Sequence, residues 1–259
     1  MRVGEEKSVV GAERVLTVLI ALAQEPDGLR LDELATRLGS PKSTVHRALA
    51  SLRHLGLANQ LSRGTYALGD EFLRLAFLHQ GRRSSVTRVE PVLRELTAKF
   101  GETSHYAVLD RCDVVYQAKR DPTEGAIRLS STVGGRNPAY CTAVGKLLLA
   151  YRLGDAAAVR AWIGADVLVA RTDNTITDVD ELISALANIR ERGFATDDQE
   201  NEVGVNCVAM PIFLDSSDLP TGAVSVSGLA FRTPLASLVD GVTTVREIIR
   251  SHDIRTSEG

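Results

Sequence analysis

Gly39-Ser-Pro-Lys-Ser-Thr-Val-His-Arg-Ala-Leu-Ala-Ser-Leu-Arg-His-Leu55 is the stretch whose reading decides how this chain is organised. Ser40 can cap a helix through its hydroxyl. Pro41 suits the first helical position, where a missing N–H costs nothing and φ is already near the helical value. Val45, Ala48, Leu49 and Leu52 then fall at i, i+3, i+4 and i+7, an apolar stripe on a 3.6-residue period. The other side carries Ser43, His46, Arg47, Ala50 and His54, with Lys42 and Thr44 near the start. Small hydroxyl side chains allow close approach to a major groove, and Arg47 and Lys42 can reach guanine edges or phosphates. Taken alone, the segment reads equally well as a solvated amphipathic helix, so its neighbours must decide.

Upstream, Ala12, Val15, Leu16, Leu19, Leu22 and Ala23 recur at helical spacing until Pro26-Asp-Gly28 breaks the pattern. Leu31, Leu34, Ala35 and Leu38 predict a short second helix that ends at Gly39, a residue suited to the left-handed conformation after a helix. Two helices joined by so short a turn form a helix-turn-helix layout. Downstream, two extended pieces flank Ser62-Arg63-Gly64 and read as a β-hairpin wing, with Arg63 at its tip available to a phosphate or a minor groove. The DNA-contact set read from this region is Arg30, Ser40, Lys42, Ser43, Thr44, His46, Arg47 and Arg63. Gly69 to Gly81 holds Phe72, Leu73, Leu75, Ala76, Phe77 and Leu78, too apolar on several sides for an exposed helix, so self-association is expected. Gly81-Arg-Arg-Ser-Ser85 reads as a boundary between domains.

The chain has 259 residues, 44% hydrophobic and 24% charged, which fits a globular protein with one or two domains. Its formal charge of −3 is uneven: residues 1–82 hold 11 Lys and Arg against 9 Asp and Glu, and the remainder 19 against 24. From Arg30 to Arg63 six cationic side chains face only Asp32 and Glu33, a local basic face sufficient for phosphate contacts. Cys112, Cys141 and Cys207 are too widely spaced for a disulfide framework or a compact zinc module. No apolar run approaches the roughly 18 residues that span a bilayer, and the first residues lack a signal peptide's apolar core. A cytoplasmic location, with no membrane partner, is expected.

From Val86 the texture changes to helices alternating with short strands. A helix through Val89 to Phe100 precedes strand-like Ser104–Leu109, Val114–Ala118 and Ile127–Ser130. Helical patterns recur at Val144–Tyr151, Asp155–Ile163, Leu182–Ile189 and Leu235–Ile249, with Thr177 as a candidate N-cap for the third. Cys207–Leu214 and Ala223–Gly228 read as more buried strands. The order predicts a mixed α+β domain with a mostly antiparallel sheet.

Several separated motifs then converge. Leu31-Asp-Glu-Leu-Ala, Ser43-Thr-Val-His-Arg-Ala-Leu and Gly64-Thr-Tyr-Ala-Leu-Gly69 stand in the first part. Cys141-Thr-Ala-Val-Gly-Lys-Leu-Leu-Leu-Ala150, Gly193-Phe-Ala-Thr-Asp-Asp, Gly204-Val-Asn-Cys-Val-Ala-Met-Pro-Ile and Ala223-Val-Ser-Val-Ser-Gly228 follow in the same order. Over nearly its full length the chain resembles the IclR family of bacterial transcriptional regulators. The resemblance implies a winged helix-turn-helix domain over 1–68, a linker helix over 69–84, and a GAF/PAS-like α+β effector-binding and oligomerisation domain over 85–259. It implies a regulator, read here as a repressor of a catabolic operon, that binds double-stranded operator DNA as a homodimer or dimer of dimers and answers to a small organic-acid effector without a cofactor.

Motif alignment with the family carries over Ala143 and Val144 through their backbone N–H groups, and Asp197, Cys207, Ser225 and Ser227 through side chains, as effector ligands. The residues agree with this: N–H groups at a helix start can hold a carboxylate, and Ser225 and Ser227 alternate along one strand and so share a face. Leu129, Tyr140 and Val205 are assigned to apolar walls. Gln199 departs from the acidic residue many members carry there, which weakens any transfer of charge-based ligand detail. Two other readings compete: an enzyme using Cys141 or Cys207 with His105 as base, and a metal sensor built on the two thiols.

Overall fold

The computed structural model describes residues 11–62, 64–80, 85–122, 129–164 and 167–258. The chain divides into two compact units, Met1–Ser84 and Ser85–Gly259.

In the first unit, α1 (Gly11–Ala23), β1 (Leu29–Arg30), α2 (Leu31–Arg37) and α3 (Lys42–His54) precede a hairpin of β2 (Ala58–Ser62) and β3 (Thr65–Leu68), then α4 (Asp70–Gln80). The strands form an antiparallel sheet in the order β1-β3-β2. The stripe read from the sequence is the buried one: Val45, Ala48, Leu49 and Leu52 pack against Val18, Leu22 and Leu34. Gly39 takes φ +56° between α2 and α3, as the turn requires.

Ser40 does not cap α3. Its amide donates to the Ala35 carbonyl at 3.0 Å and its hydroxyl to the Leu38 carbonyl at 3.2 Å, which commits the residue to closing the end of α2. Pro41 occupies the cap position instead, and the first turn of α3 has no side-chain cap. Arg63 at the wing tip lies outside the described residues. Gly69 is packed so tightly that a Cβ would lie 2.1 Å from the Gly56 carbonyl oxygen. Beyond it, Phe72, Leu73 and Leu75 are exposed on α4.

The second unit opens with α5 (Ser85–Phe100), β4 (Thr103–Asp110), β5 (Asp113–Arg120) and β6 (Arg136–Pro138). Then come α6 (Ala143–Arg152), α7 (Ala156–Ile163), α8 (Val179–Arg192), β7 (Ala195–Asp198), β8 (Val205–Ile212), β9 (Gly222–Leu229), α9 (Leu235–Asp240) and α10 (Val242–Ser251). Its six strands run β6-β5-β4-β9-β8-β7, and every pairing is antiparallel. Leu147, Leu182, Leu186 and Val159 of α6–α8 cover one face, against Ala107, Ala209 and Ala223. Leu93, Leu238 and Ile249 of α5, α9 and α10 cover the other, against Tyr106, Val208, Val224 and Val226.

Three expectations need correction. The strand expected at 127–130 is not formed at Leu129 and Ser130, residues 127 and 128 lying outside the described set; β6 supplies the edge instead. The cap of α8 is Asp178, whose carboxylate accepts the Glu181 amide at 2.9 Å, one residue after Thr177. The final helical pattern is two helices that meet at Gly241.

Leu49 is fully buried at the centre of the first unit. Leu49→Ala should destabilise that unit by about 2–5 kcal/mol, read as a lowered denaturant midpoint followed by circular dichroism.

Candidate functional site

Two surfaces stand out, one in each unit. On α3 the buried stripe leaves Lys42, Ser43, His46, Arg47, Ala50, Arg53 and His54 exposed, with Thr44 partly so. Among the described residues most cations elsewhere in the unit are engaged. Arg30 pairs with Asp32 at 3.4 Å, and Arg37 pairs with Glu25 at 2.8 Å. Arg74 pairs with Glu71. Among the described residues no carboxylate lies within ion-pair distance of Lys42, Arg47 or Arg53. Among the described residues α3 therefore carries most of the unpaired positive charge, while Arg30, included in the sequence reading, has its guanidinium turned to its own helix start. Beside the C-terminal half of α3, a groove lined by Arg53, His54, Asn59 and Gln60 runs along β2. Sequence reasoning left these four out because periodicity assigns a residue to a face without saying which strand lies next to it.

The second surface is a cavity of about 50 Å³ in the second unit, room for a few waters or one small molecule. It is built by strand register. Asp197 of β7 pairs with Cys207 of β8, and Cys207 with Ser227 of β9. The next row joins Ala209, Ser225 and His105 of β4. Side chains alternate along each strand, so both rows face α6 while Val224 and Val226 face the opposite core.

The N-terminus of α6 closes the cavity. Thr142 caps it, its hydroxyl accepting the Gly145 amide at 3.1 Å. Gly145 is required here, because a Cβ would lie 2.2 Å from the Ala139 carbonyl oxygen. The amides of Ala143 and Val144 belong to the first turn, where a helix supplies no acceptor, and both residues line the cavity.

The polar groups are fixed from behind. The His105 ring meets the Ser131 hydroxyl at 2.8 Å through Nε2 and the Ser225 hydroxyl at 3.4 Å through Nδ1. Burial, and then the nearby Lys119 ammonium, pull the His105 pKa down to about 4, so the ring is neutral at physiological pH. Lys119 donates to the Leu129 and Ser131 carbonyls at 2.9 and 2.8 Å and holds that loop. Asp197 is 3% exposed and accepts the Glu200 amide at 2.7 Å. Burial, with the Glu200 carboxylate adding to it, lifts Asp197 to about 7. Burial also pushes Cys141 and Tyr116 up to about 12, and Cys207 well above the ordinary thiol value. Glu200 forms a buried ion pair with Lys146 of α6. Its backbone carbonyl accepts the Thr175 hydroxyl at 2.6 Å.

Leu129, Ala143, Val144, Asp197, Val205, Cys207, Ser225 and Ser227 all line this one cavity. Tyr140 does not: its hydroxyl donates to the Val169 carbonyl at 2.6 Å and its ring packs against the α6–α8 core. The cavity also brings in Tyr116, Asn137, Ser130, Ser131, Asn201 and Glu202. His105 joins them as a neutral wall residue, its two ring nitrogens engaged by the Ser131 and Ser225 hydroxyls. Register could have located it, since His105 faces Ser225; the loop residues left no periodic signal. Gln199 turns out to be structural, at φ +58°, with its side-chain oxygen accepting the Gly204 amide at 3.1 Å. Among the described residues no three His, Cys, Asp or Glu side chains cluster as metal ligands.

Residues 82–251 match the family model described as bacterial transcriptional regulator IclR C-terminal, and residues 11–62 match the IclR helix-turn-helix domain. The chain belongs to the IclR family. Among IclR relatives, the HTH-type transcriptional regulator XynR of Escherichia coli is 32% identical, the match covering 90% of this chain and 91% of that protein. The crystal structure of the Thermotoga maritima IclR aligns with a TM-score of 0.72 at 25% identity, covering 93% of this chain and 96% of that one. An IclR homologue of Microbacterium hydrocarbonoxydans, complexed with 4-hydroxybenzoate, shares the fold at a TM-score of 0.74 and 20% identity, over 93% of this chain and 100% of that one. This IclR chain is thus a DNA-binding transcriptional regulator, and among its described residues no helix is long and apolar enough to cross a membrane.

Removing one partner of a buried ion pair strands the other charge. Lys146→Met should cost about 3–5 kcal/mol in denaturant titrations, and combining it with Glu200→Leu should recover most of that loss.

Proposed function

We propose that the chain is a repressor of a catabolic operon, released from its operator by a small organic acid bound in the second unit. Residues 1–68 would bind DNA, 69–84 form the linker helix and 85–259 sense the effector. The observation that carries the DNA half is α3, which presents Lys42 and Arg47 without carboxylate partners among the described residues, beside Ser43 and His46 on the same exposed side. Ser43, His46 and Arg47 are assigned to base edges. Lys42, Thr44, Arg30 and Arg63 are assigned to the backbone, and Ser40 only to holding the turn.

The effector half rests on the convergence of the α6 N-terminus with Asp197, Cys207, Ser225 and Ser227 on one small cavity. A carboxylate at the Ala143 and Val144 amides is favoured by the helix dipole, with the serine hydroxyls as further donors. Exposed Leu16 and Ile20 on α1, with Phe72, Leu73 and Leu75 on α4, support a homodimer or a dimer of dimers. Two recognition helices would then address half-sites about 34–36 Å apart, or a multiple of that spacing. The effector acts by binding one arrangement of the subunits more tightly than the other, which shifts the population away from the DNA-competent form. A cytoplasmic location follows from this role.

Fluorescence titration of the operator at fixed salt tests the reading. Arg47→Ala should lose about 1–3 kcal/mol on operator DNA and much less on random duplex, whereas Lys42→Ala should weaken both alike and shallow the salt slope by about one. Unchanged operator affinity in Arg47→Ala would remove that side chain from the base-reading set.

A further inference from the structure

We infer that the cavity selects a small monocarboxylate over a dicarboxylate, and that the ligand binds together with one proton carried on Asp197. This rests on the reading of the cavity as an organic-acid site. Among the described residues its lining contains neither Lys nor Arg, and its acidic side chains are Asp197 and Glu202. Among the described residues the cations just behind the wall are already committed, Arg171 donating to the Asn201 carbonyl at 3.1 Å. Lys146 is paired with Glu200. Lys119 is held by two carbonyls and by Asp121 at 3.2 Å. His105, which could have supplied a charge, is neutral. What remains for an anion is the α6 N-terminus, equivalent to roughly half a positive charge, and the neutral hydroxyls of Ser225 and Ser227. That suffices for one carboxylate. A second would lie in a cavity of about 50 Å³ beside Glu202, with no cation among the described lining residues.

The same geometry makes the bound carboxylate a neighbour of Asp197, and two carboxylates sharing a site hold a proton between them. The ionisable groups around Asp197 come from every element packed there. Among the described residues they are Lys146 on α6, Cys141 just before it, Glu200 and Glu202 in the loop between β7 and β8, Cys207 on β8, Arg171 packed against that loop, Tyr116 on β5 and His105 on β4. The two thiols, the phenol and the imidazole are all neutral from pH 6 to 8, because burial displaces each in the direction of its uncharged form. Glu200 is matched by Lys146, and Glu202 is exposed, its carboxylate accepting the Ser130 hydroxyl at 2.9 Å. Asp197 is therefore the group that takes up the proton. Once protonated, it can donate its O–H to the ligand while its other oxygen keeps the Glu200 amide.

Isothermal titration calorimetry on the full chain tests this with lactate and pyruvate against oxalate and malonate, at pH 6, 7 and 8 in two buffers of different ionisation enthalpy. Monocarboxylates should bind about tenfold or more tighter than dicarboxylates. Their affinity should fall about tenfold per unit above pH 7, with proton uptake approaching one. Asp197→Asn should bind monocarboxylates with no uptake and no pH dependence. Tighter binding of dicarboxylates, or no proton uptake by the wild-type chain, would overturn the inference and leave the organic-acid reading standing. If no acid of either class binds and only neutral or cationic compounds release the operator, both fall together.

Discussion

Lys146 reaches from the first turn of α6 to the buried carboxylate of Glu200, and the arrangement of the cavity depends on that ion pair. It ties the start of α6, which carries the Ala143 and Val144 amides, to the loop directly after β7, the strand that carries Asp197. Thr172 and Thr175 clamp the same loop by accepting no freedom at residues 199 and 200, their hydroxyls donating to those carbonyls at 2.7 and 2.6 Å. With the loop fixed, Asp197 stays buried beside Glu200, and its proton affinity follows from that burial rather than from exposure to solvent.

Strand pairing supplies the remaining precision. Because β7, β8, β9 and β4 pair in register, residues far apart in the chain meet in two cross-strand rows: Asp197, Cys207 and Ser227, then Ser225 and His105. A one-residue slip would turn the serines toward α5 and α10 and put Val224 and Val226 into the cavity. The apolar core on the far side of the sheet thus enforces the polar site on the near side.

Most of the architecture was legible in the chain because periodicity reports burial directly. The stripe Val45, Ala48, Leu49 and Leu52 is buried, and the Ser225/Ser227 alternation placed both hydroxyls on one face. What failed depended on local competition or on loops. Ser40 has the chemistry of a cap, but its own amide and hydroxyl close the end of α2. Tyr140 lies close to the right stretch, yet in a single helical turn before Thr142 its ring points away from the cavity into the core. Ser130, Ser131 and Asn201 belong to segments with no repeating pattern, so no period could place them.

The missing Cβ of Gly69 has a mechanical consequence. The residue presses against the Gly56–Ala58 backbone, its amide donates to the Leu57 carbonyl at 2.9 Å, and the Glu71 amide reaches the Gly56 carbonyl at 3.3 Å. The start of α4 is therefore bolted to the turn that directly follows α3, with no compliant segment between them. Any rotation of the first turn of α4 would be carried through these contacts to the C-terminal end of α3, with no slack residue to absorb it.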